Sequence, residues 1–316
     1  MITHARHDYV ELIVVYVGAV AALLFLTTLT TPRVVSRLGV LAPVAEKTLS
    51  MYDTKAFRGL PVQAKAYVVY DIVDGHLISS KNQDEVLPLA SITKIMTAVS
   101  ALAHHQTSDP VVISPASVAD GYDLGLKKNQ TWKLGELLKY TLVFSSNDGA
   151  ESIATSFGGR EAFVEQMNTD ALLLGLALHF TDPAGLDIAG KLGGEGSALQ
   201  VAKLFAIARK RFPEILDATT RVRTNVTAST GKVTGIPNTN QDIQNLLGAE
   251  ASKTGFTDSA GGNLAVVVDI SVGHPVVIVV LGSTRDERFS DVETLYKALT
   301  KSLVVEEVSA KSANVR

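Results

Sequence analysis

The pattern of hydrophobic and polar positions after residue 60 changes period twice along the chain. Residues 64–73 and 76–80 have the composition of strands, and the Asp74-Gly75 pair between them is a typical hairpin turn. The strand pattern returns toward the C-terminus, where it predicts strands at residues 222–228, 249–253, 263–271 and 275–281 and a final helix at 291–303. This part of the chain therefore begins and ends with strand segments.

The middle of the chain has a helical period instead. Apolar residues recur at three- and four-residue spacing in residues 91–105, 133–144, 148–157, 161–174 and 198–211. Strands on both sides of a helical region predict one α+β domain, which we place at residues 61–305. In this domain we expect an antiparallel sheet flanked by helices with a helical subdomain, followed by a solvated tail at residues 306–316.

The N-terminus carries a longer apolar run. Residues 12–32 contain no charged side chain, and a helix of that length spans about 30 Å, the thickness of the hydrocarbon core of a bilayer. We predict a short cytoplasmic N-terminus at residues 1–11, a transmembrane anchor at 12–32 and a linker at 33–60. A cleaved signal peptide is the alternative, but the run is longer than a usual signal core and no A-x-A site follows it.

Composition removes several classes of function. The 316-residue chain is 46% hydrophobic and 19% charged, as globular proteins are. Its 29 Lys and Arg residues against 32 Asp and Glu residues leave no positive surplus for phosphates, so no nucleic acid is expected as a partner. The chain has no cysteine, and its seven histidines are scattered without an H-E-x-x-H pattern. We therefore predict neither a metal nor a cofactor.

The first candidate site opens the helix predicted at residues 91–105. Ser91 and Lys94 lie one turn apart there, and a capping box would carry Glu or Gln where Lys94 stands. The positive end of the helix dipole and burial both favour the neutral amine, which can take the proton of a serine hydroxyl during attack on a carbonyl. The same S-x-x-K pattern at residues 229–232 lies in a segment without helical period, and we reject it.

A second candidate segment is Ser145-Ser146-Asn147. It falls in the break between two predicted helices, where a hydroxyl and a carboxamide can be held over a cleft. An ordinary polar turn explains the segment equally well on its own, since the S-x-N pattern recurs at residues 80–82 and 312–314.

A third candidate segment is Lys253-Thr254-Gly255, at the end of a predicted strand. Lysine and threonine can bind an anion, and a residue without Cβ lets an extended substrate lie close to the backbone. A strand end followed by a turn is the alternative. The three segments occur in this order along the chain, and each lies in its expected structural context. Together they therefore indicate a catalytic site more strongly than any one of them does alone.

With these motifs the chain resembles the penicillin-binding protein and serine β-lactamase superfamily, and specifically the low-molecular-mass D-alanyl-D-alanine carboxypeptidases. The likeness extends over about residues 64–303, and the implied fold is that of the serine β-lactamases and DD-peptidases. It also includes the segments PLASITKIMTA, SSNDGAE, DPAGLD, SKTGFTDSAGGNL and VVLGSTRDERFSD.

The resemblance implies roles for the first two motifs. By this likeness Ser91 is the acylated nucleophile and Lys94 its base. Ser145 would relay a proton to the leaving amine, and Asn147 would hold a substrate amide. The backbone N–H groups of Ser91 and Phe256 would form the oxyanion hole.

The resemblance also implies how the substrate is recognised. Lys253 and Thr254 would bind a terminal carboxylate, and Gly255 belongs to the same binding strand. Arg288 would be a second carboxylate ligand, with Arg285 as its rival for that position.

The implied function is that of a serine-type D-Ala-D-Ala carboxypeptidase acting on peptidoglycan stem peptides through an acyl-enzyme, with β-lactams as inhibitors. Because this substrate lies outside the cytoplasmic membrane, we expect a single-pass membrane protein with an extracytoplasmic catalytic domain. A DD-endopeptidase or a β-lactamase on the same fold, and an inactive wall-binding protein, are the alternatives. The β-lactamase is disfavoured, because Ser146 stands where class A enzymes carry Asp and no glutamate is evident that would activate a deacylating water.

Overall fold

The computed structural model describes residues 51–115 and 126–303. The predicted N-terminal segment 1–11, the anchor 12–32 and the tail 306–316 lie outside the described residues, so these assignments stay predictions. Within the part of the chain that the structure describes, no helix is both long and apolar enough to cross a membrane. Of the predicted linker, residues 51–60 belong to the folded domain, because Tyr52 and Phe57 are buried in its core.

The described residues form α-helices and β-strands that follow the predicted order. The strands are β1 (Ala66–Asp71), β2 (Leu77–Lys81), β3 (Leu87–Pro88), β4 (Pro110–Val112), β5 (Thr131–Lys133), β6 (Leu178–Phe180), β7 (Gly194–Gly196), β8 (Arg223–Thr227), β9 (Val233–Pro237), β10 (Ala249–Thr257), β11 (Gly261–Asp269) and β12 (Pro275–Ser283). The helices are α1 (Lys94–His104), α2 (Leu134–Val143), α3 (Asn147–Ser156), α4 (Arg160–Leu173), α5 (Ala198–Arg211), α6 (Pro213–Asp217) and α7 (Glu287–Ser302).

The main sheet is antiparallel, with the strand order β10-β11-β12-β1-β2. Strand β1 from the start of the domain pairs with β12 from its end, in a register that sets Ala66 opposite Leu281. Strand β10 is an edge of this sheet, so one side of its backbone can meet a partner that does not belong to the sheet. The predicted α+β class with an antiparallel sheet and a helical region is confirmed.

Two hydrophobic cores lie on opposite faces of the sheet. In β12, Val276, Ile278 and Val280 belong to the core that includes residues of α7. Their neighbours Val277, Val279 and Leu281 belong to the core that includes the helices α1 to α5. Because successive strand residues point to opposite faces, a strand that is covered on both sides reads as one continuous apolar run.

Strand lengths and partners differ most from the prediction. The strand predicted at residues 249–253 extends to Thr257, so the Lys-Thr-Gly segment lies inside β10 and not at its end. Among the described residues, the strand predicted at residues 222–228 pairs with β9 in a separate two-stranded hairpin. Strands β3 to β7 have two or three residues each and are too short to produce a periodic signal.

Candidate active site

Ser91 lies in a short 3₁₀ turn, Ala90–Thr93, immediately before α1. Ala90 has φ of +48°, which is an unfavourable region for a residue with a side chain. The fully buried Ile92 and Ile95 anchor the turn and the helix start in the core. Packing therefore maintains a strained backbone that leaves Ser91 half-buried at the helix start.

Lys94 is fully buried and lies among oxygen atoms. Its Nζ lies 2.8 Å from Ser91 Oγ, 2.8 Å from Asn147 Oδ1 and 2.7 Å from the carbonyl oxygen of Ala184. A neutral amine has two protons and one lone pair. If its protons go to Asn147 and Ala184, its lone pair is directed at the Ser91 hydroxyl, which is the arrangement that a general base requires.

The Ser145-Ser146-Asn147 segment connects α2 to α3, and its two serines do different things. Ser145 has φ of +63°, and its Oγ accepts a hydrogen bond of 2.8 Å from Lys253 Nζ. Ser146 is buried, and its Oγ caps α3 by accepting a bond of 2.7 Å from the Gly149 N–H. The central serine therefore caps the helix. Ser145 contacts Lys253, and Asn147 contacts Lys94.

Lys253 and Thr254 project from the edge strand β10. Lys253 is 1% exposed, and its Nζ donates to Ser145 Oγ and to the carbonyl oxygen of Thr254. Burial, together with the charges of Lys94 and Arg288, lowers the pKa of Lys253 well below its ordinary value. The Thr254 hydroxyl donates to Thr239 Oγ1 over 2.7 Å.

Gly255 is required for packing within the protein. A Cβ at this position would lie 2.8 Å from the carbonyl oxygen of Leu89 and 3.3 Å from the backbone nitrogen of Ile92. Sequence reasoning assigned this glycine to the close approach of a substrate. The structure gives it a second reason, because it lets β10 lie directly against the turn that carries Ser91.

The two arginines near the end of β12 have different environments. Arg288 is 8% exposed, and its Nη1 donates to the carbonyl oxygen of Gly255 over 2.7 Å. Burial and the neighbouring charge of Arg285 lower the pKa of Arg288 to about 10. Arg285 is exposed and stacks over Phe256, with its Cζ 4.8 Å from the ring centroid. The predicted ligand Arg288 is therefore engaged with the backbone of the binding strand, while Arg285 faces solvent.

Sequence reasoning missed two contacts of the site. The third partner of Lys94 is the carbonyl oxygen of Ala184, and the partner of Thr254 is Thr239. A backbone carbonyl has no residue signature, so no motif could have identified Ala184. Ala184 nevertheless lies inside the segment DPAGLD, residues 182–187, which is part of the family resemblance.

One group of side chains has the composition of a metal site. The ligand atoms of Asp71, Asp74 and His76, at the turn between β1 and β2, lie within 4.8 Å of one another. Asp71 Oδ2 already accepts a hydrogen bond of 2.8 Å from the Tyr52 hydroxyl and lies 2.7 Å from His274 Nε2. These bonds explain the buried carboxylate as part of the turn structure.

Comparison with known proteins gives a consistent family. A sequence model described as D-alanyl-D-alanine carboxypeptidase matches residues 53–285. A D-alanyl-D-alanine endopeptidase of Pseudomonas aeruginosa is 32% identical over 71% of this chain and 74% of its own. The D-alanyl-D-alanine carboxypeptidase DacB2 of Mycobacterium tuberculosis is 29% identical over 62% of this chain and 67% of its own. Penicillin-binding protein D2 of Listeria monocytogenes, solved in an ampicillin-bound form, aligns with a TM-score of 0.67 at 28% identity, covering 76% of this chain and 98% of that chain.

Proposed function

Because the chain belongs to the D-alanyl-D-alanine carboxypeptidase family of serine peptidases, we propose that it removes the terminal D-alanine of peptidoglycan stem peptides through an acyl-enzyme on Ser91. One observation carries this proposal. The Nζ of the fully buried Lys94 lies 2.8 Å from Ser91 Oγ, which makes a lysine the base for a serine nucleophile. The reaction requires no metal or cofactor.

In the first step Lys94 takes the proton of Ser91 while Oγ attacks the carbonyl carbon of the scissile bond. The backbone N–H groups of Ser91 and Phe256 stabilise the negative oxygen that forms. In other acyl-transfer enzymes, the loss of one such donor costs about 3 kcal/mol of transition-state stabilisation. Asn147 orients the substrate amide from the start of α3.

In the second step the leaving D-alanine amine receives a proton through Ser145. The Oγ of Ser145 accepts a hydrogen bond of 2.8 Å from Lys253 Nζ, which can supply that proton. Water then attacks the acyl carbonyl carbon and gives up a proton that returns through Ser145 to Lys253. As the ester bond breaks, Lys94 returns its proton to Ser91 Oγ, which restores the free site.

The terminal carboxylate of the substrate is bound beside the basic side chains of Lys253 and Arg288. Lys253 and Thr254 contact it, and Arg288 supports their strand through Gly255. A carboxylate beside Lys253 favours the charged form of its amine, so substrate binding brings a proton with it. This coupling suits a substrate with a free C-terminus and favours carboxypeptidase activity.

A DD-endopeptidase that cuts cross-links is the second candidate. It is favoured by the Pseudomonas aeruginosa relative of that name, which is 32% identical. The same nucleophile and base would serve both reactions, so the difference lies in which peptides the site admits.

The proposal is tested with purified full-length protein. We expect a fluorescent penicillin to acylate Ser91, a peptide ending in D-Ala-D-Ala to release D-alanine, and Ser91→Ala to abolish both. Mass spectrometry identifies the acylated residue. An adduct at Ser229, or labelling that persists in Ser91→Ala, would refute the assignment. Cleavage of a cross-linked muropeptide without release of D-alanine from the linear peptide would establish the endopeptidase instead.

We further propose that the protein is anchored in the cytoplasmic membrane by residues 12–32, with the catalytic domain outside. The support is the uncharged run in the sequence and the extracytoplasmic position of the proposed substrate. The protein is then expected in the membrane fraction, and protease added to spheroplasts should digest the catalytic domain. A domain that is protected from that protease would contradict the orientation.

A further inference from the structure

Lys94 depends on two acceptors that come from separate parts of the chain. Asn147 Oδ1 belongs to the first turn of α3, and the Ala184 carbonyl belongs to the turn that follows β6. The direction of the Lys94 lone pair toward Ser91 is only as well defined as the positions of these two oxygens. Any structure that fixes them relative to each other therefore acts on the proposed base.

Asp182 fixes the shape of the turn that carries Ala184. It is 1% exposed, and its Oδ1 accepts hydrogen bonds of 2.8 Å from the N–H groups of both Ala184 and Leu186. The turn also packs against the turn of the nucleophile, because a Cβ at Gly185 would overlap the carbonyl oxygen of Ala90. These bonds fix the backbone of the turn on both sides of Gly185, and with it the direction of the Ala184 carbonyl.

Arg160 ties this turn to α3. Its Nη2 lies 2.5 Å from Asp182 Oδ2, and its Nη1 lies 2.8 Å from Glu151 Oε2. Glu151 follows Asn147 by four residues on α3, so the two side chains lie on the same side of that helix. The contacts form a closed ring from Lys94 through Asn147, α3, Glu151, Arg160 and Asp182 back to Ala184 and Lys94.

The ring sets one guanidinium against two carboxylates. Burial disfavours the charged guanidinium, but the carboxylates of Asp182 and Glu151 outweigh it and raise the pKa of Arg160. The Asp182 side chain is 2% exposed, so removal of the arginine would leave a buried carboxylate without its cation. The buried Asp182 therefore depends on Arg160.

We propose that Asp182 and Arg160 are positioning residues for the base: together they hold the two oxygens that direct Lys94 at Ser91. Neither residue belongs to the three catalytic motifs. The inference rests on the proposed function, since it takes Lys94 as the base of a serine acylation.

The test separates positioning from stability by resolving acylation into two steps. Stopped-flow measurements with a fluorescent penicillin give the dissociation constant of the non-covalent complex and the rate constant of acylation. We expect Asp182→Asn to lower the acylation rate constant about 100-fold, as displacement of a reacting group by about 1 Å does. Arg160→Gln should lower it about 10-fold, the usual lower limit for a supporting residue. The dissociation constant should stay within about twofold, because Lys253 and Thr254 lie on another element.

Two further variants make the result specific. Arg160→Lys keeps the pair with Asp182 but cannot also reach Glu151 with a planar fork, so it should recover part of the rate that Arg160→Gln loses. Arg209→Gln is the matched control, because Arg209 pairs with Glu250 and has 29% side-chain exposure, against 31% for Arg160. We expect this control to acylate at the wild-type rate.

Each outcome decides one question. Wild-type protein that no penicillin acylates would refute the proposed function itself. Wild-type acylation with Asp182→Asn and Arg160→Gln both within twofold of Arg209→Gln would overturn the positioning role alone, as would a loss found only in the dissociation constant. If Asp182→Asn does not fold, which a thermal melt reveals, Arg160→Gln and Arg160→Lys decide the question.

Discussion

Substitution of Gly255 by alanine tests the closest approach in the site. The new Cβ would lie 2.8 Å from the Leu89 carbonyl oxygen and 3.3 Å from the Ile92 nitrogen. Both are backbone atoms of the segment that carries Ser91, so neither can rotate away as a side chain would. The strand β10 and the turn must separate by several tenths of an ångström, which moves Lys253 and Ser91 apart.

The expected cost is that of adding one methyl group to a closely packed interior, about 1–3 kcal/mol. In a domain of this size 1 kcal/mol shifts the melting temperature by about 2–4 °C, so we expect Gly255→Ala to melt about 2–12 °C lower. The rate constant of acylation by penicillin should fall about 100-fold, because the oxyanion donors of Ser91 and Phe256 no longer converge. Differential scanning calorimetry and stopped-flow fluorescence measure the two effects.

Gly235→Ala is the control for this prediction. Gly235 also lies in a strand, but the nearest atoms to its new Cβ are side-chain atoms, Asn225 Oδ1 at 3.2 Å and Arg223 Nη2 at 3.6 Å. We expect it to melt and to react as the wild type does. A Gly255→Ala variant with an unchanged melting temperature and unchanged acylation by penicillin would refute the packing argument. If only cleavage of a long stem peptide were lost, the glycine would serve substrate approach instead.

Three other predictions concern individual side chains. Lys94→Arg should release almost no D-alanine although it keeps the charge, since a guanidinium stays protonated and cannot accept the Ser91 proton; substantial turnover would remove Lys94 as the base. Burial lowers the pKa of Lys253 in the free enzyme, and a bound substrate carboxylate raises it. The resulting gain in substrate affinity is fully present below the pKa of Lys253 in the free enzyme, and it is lost as pH rises through the pKa of Lys253 in the complex. The KM for a D-Ala-D-Ala peptide should therefore rise with pH over this window, and a flat profile would contradict the coupling. Ser146→Ala should cost about 1 kcal/mol in urea unfolding through the lost cap while acylation persists; loss of acylation at wild-type stability would give this serine a catalytic role.

The sequence allows prediction of the site where its geometry is local. Ser91 and Lys94 are separated by one turn, so their contact follows from helix geometry alone once the helix is recognised. The contact of Ser145 with Lys253 joins positions 108 residues apart, and the residues alone give no reason to pair them. Only the order of the motifs, and the family resemblance that it supports, brought these two residues together before the fold was known.

What could not be predicted depends on backbone atoms and on exact strand ends. The carbonyl of Ala184 accepts from Lys94, and any residue type could offer that oxygen. The predicted end of β10 is too early because Ser252, Lys253, Thr254 and Gly255 break the apolar pattern. They do so for a physical reason, since an edge strand beside a site carries polar and small residues where a central strand carries valine.

The distribution of charge connects the two lysines with the proposed substrate. The charges of Lys94 and Arg288 add to burial in lowering the pKa of Lys253, so the free site disfavours holding all of its basic groups in the charged form. A neutral amine is what a general base requires at Lys94, whereas carboxylate recognition requires a charged one at Lys253. An incoming terminal carboxylate meets the second requirement by stabilising the positive charge of Lys253. In the proposed reaction, the free carboxylate of the substrate therefore stabilises the charged Lys253 that binds it. A substrate without that carboxylate leaves the pKa of Lys253 lowered and is bound less well.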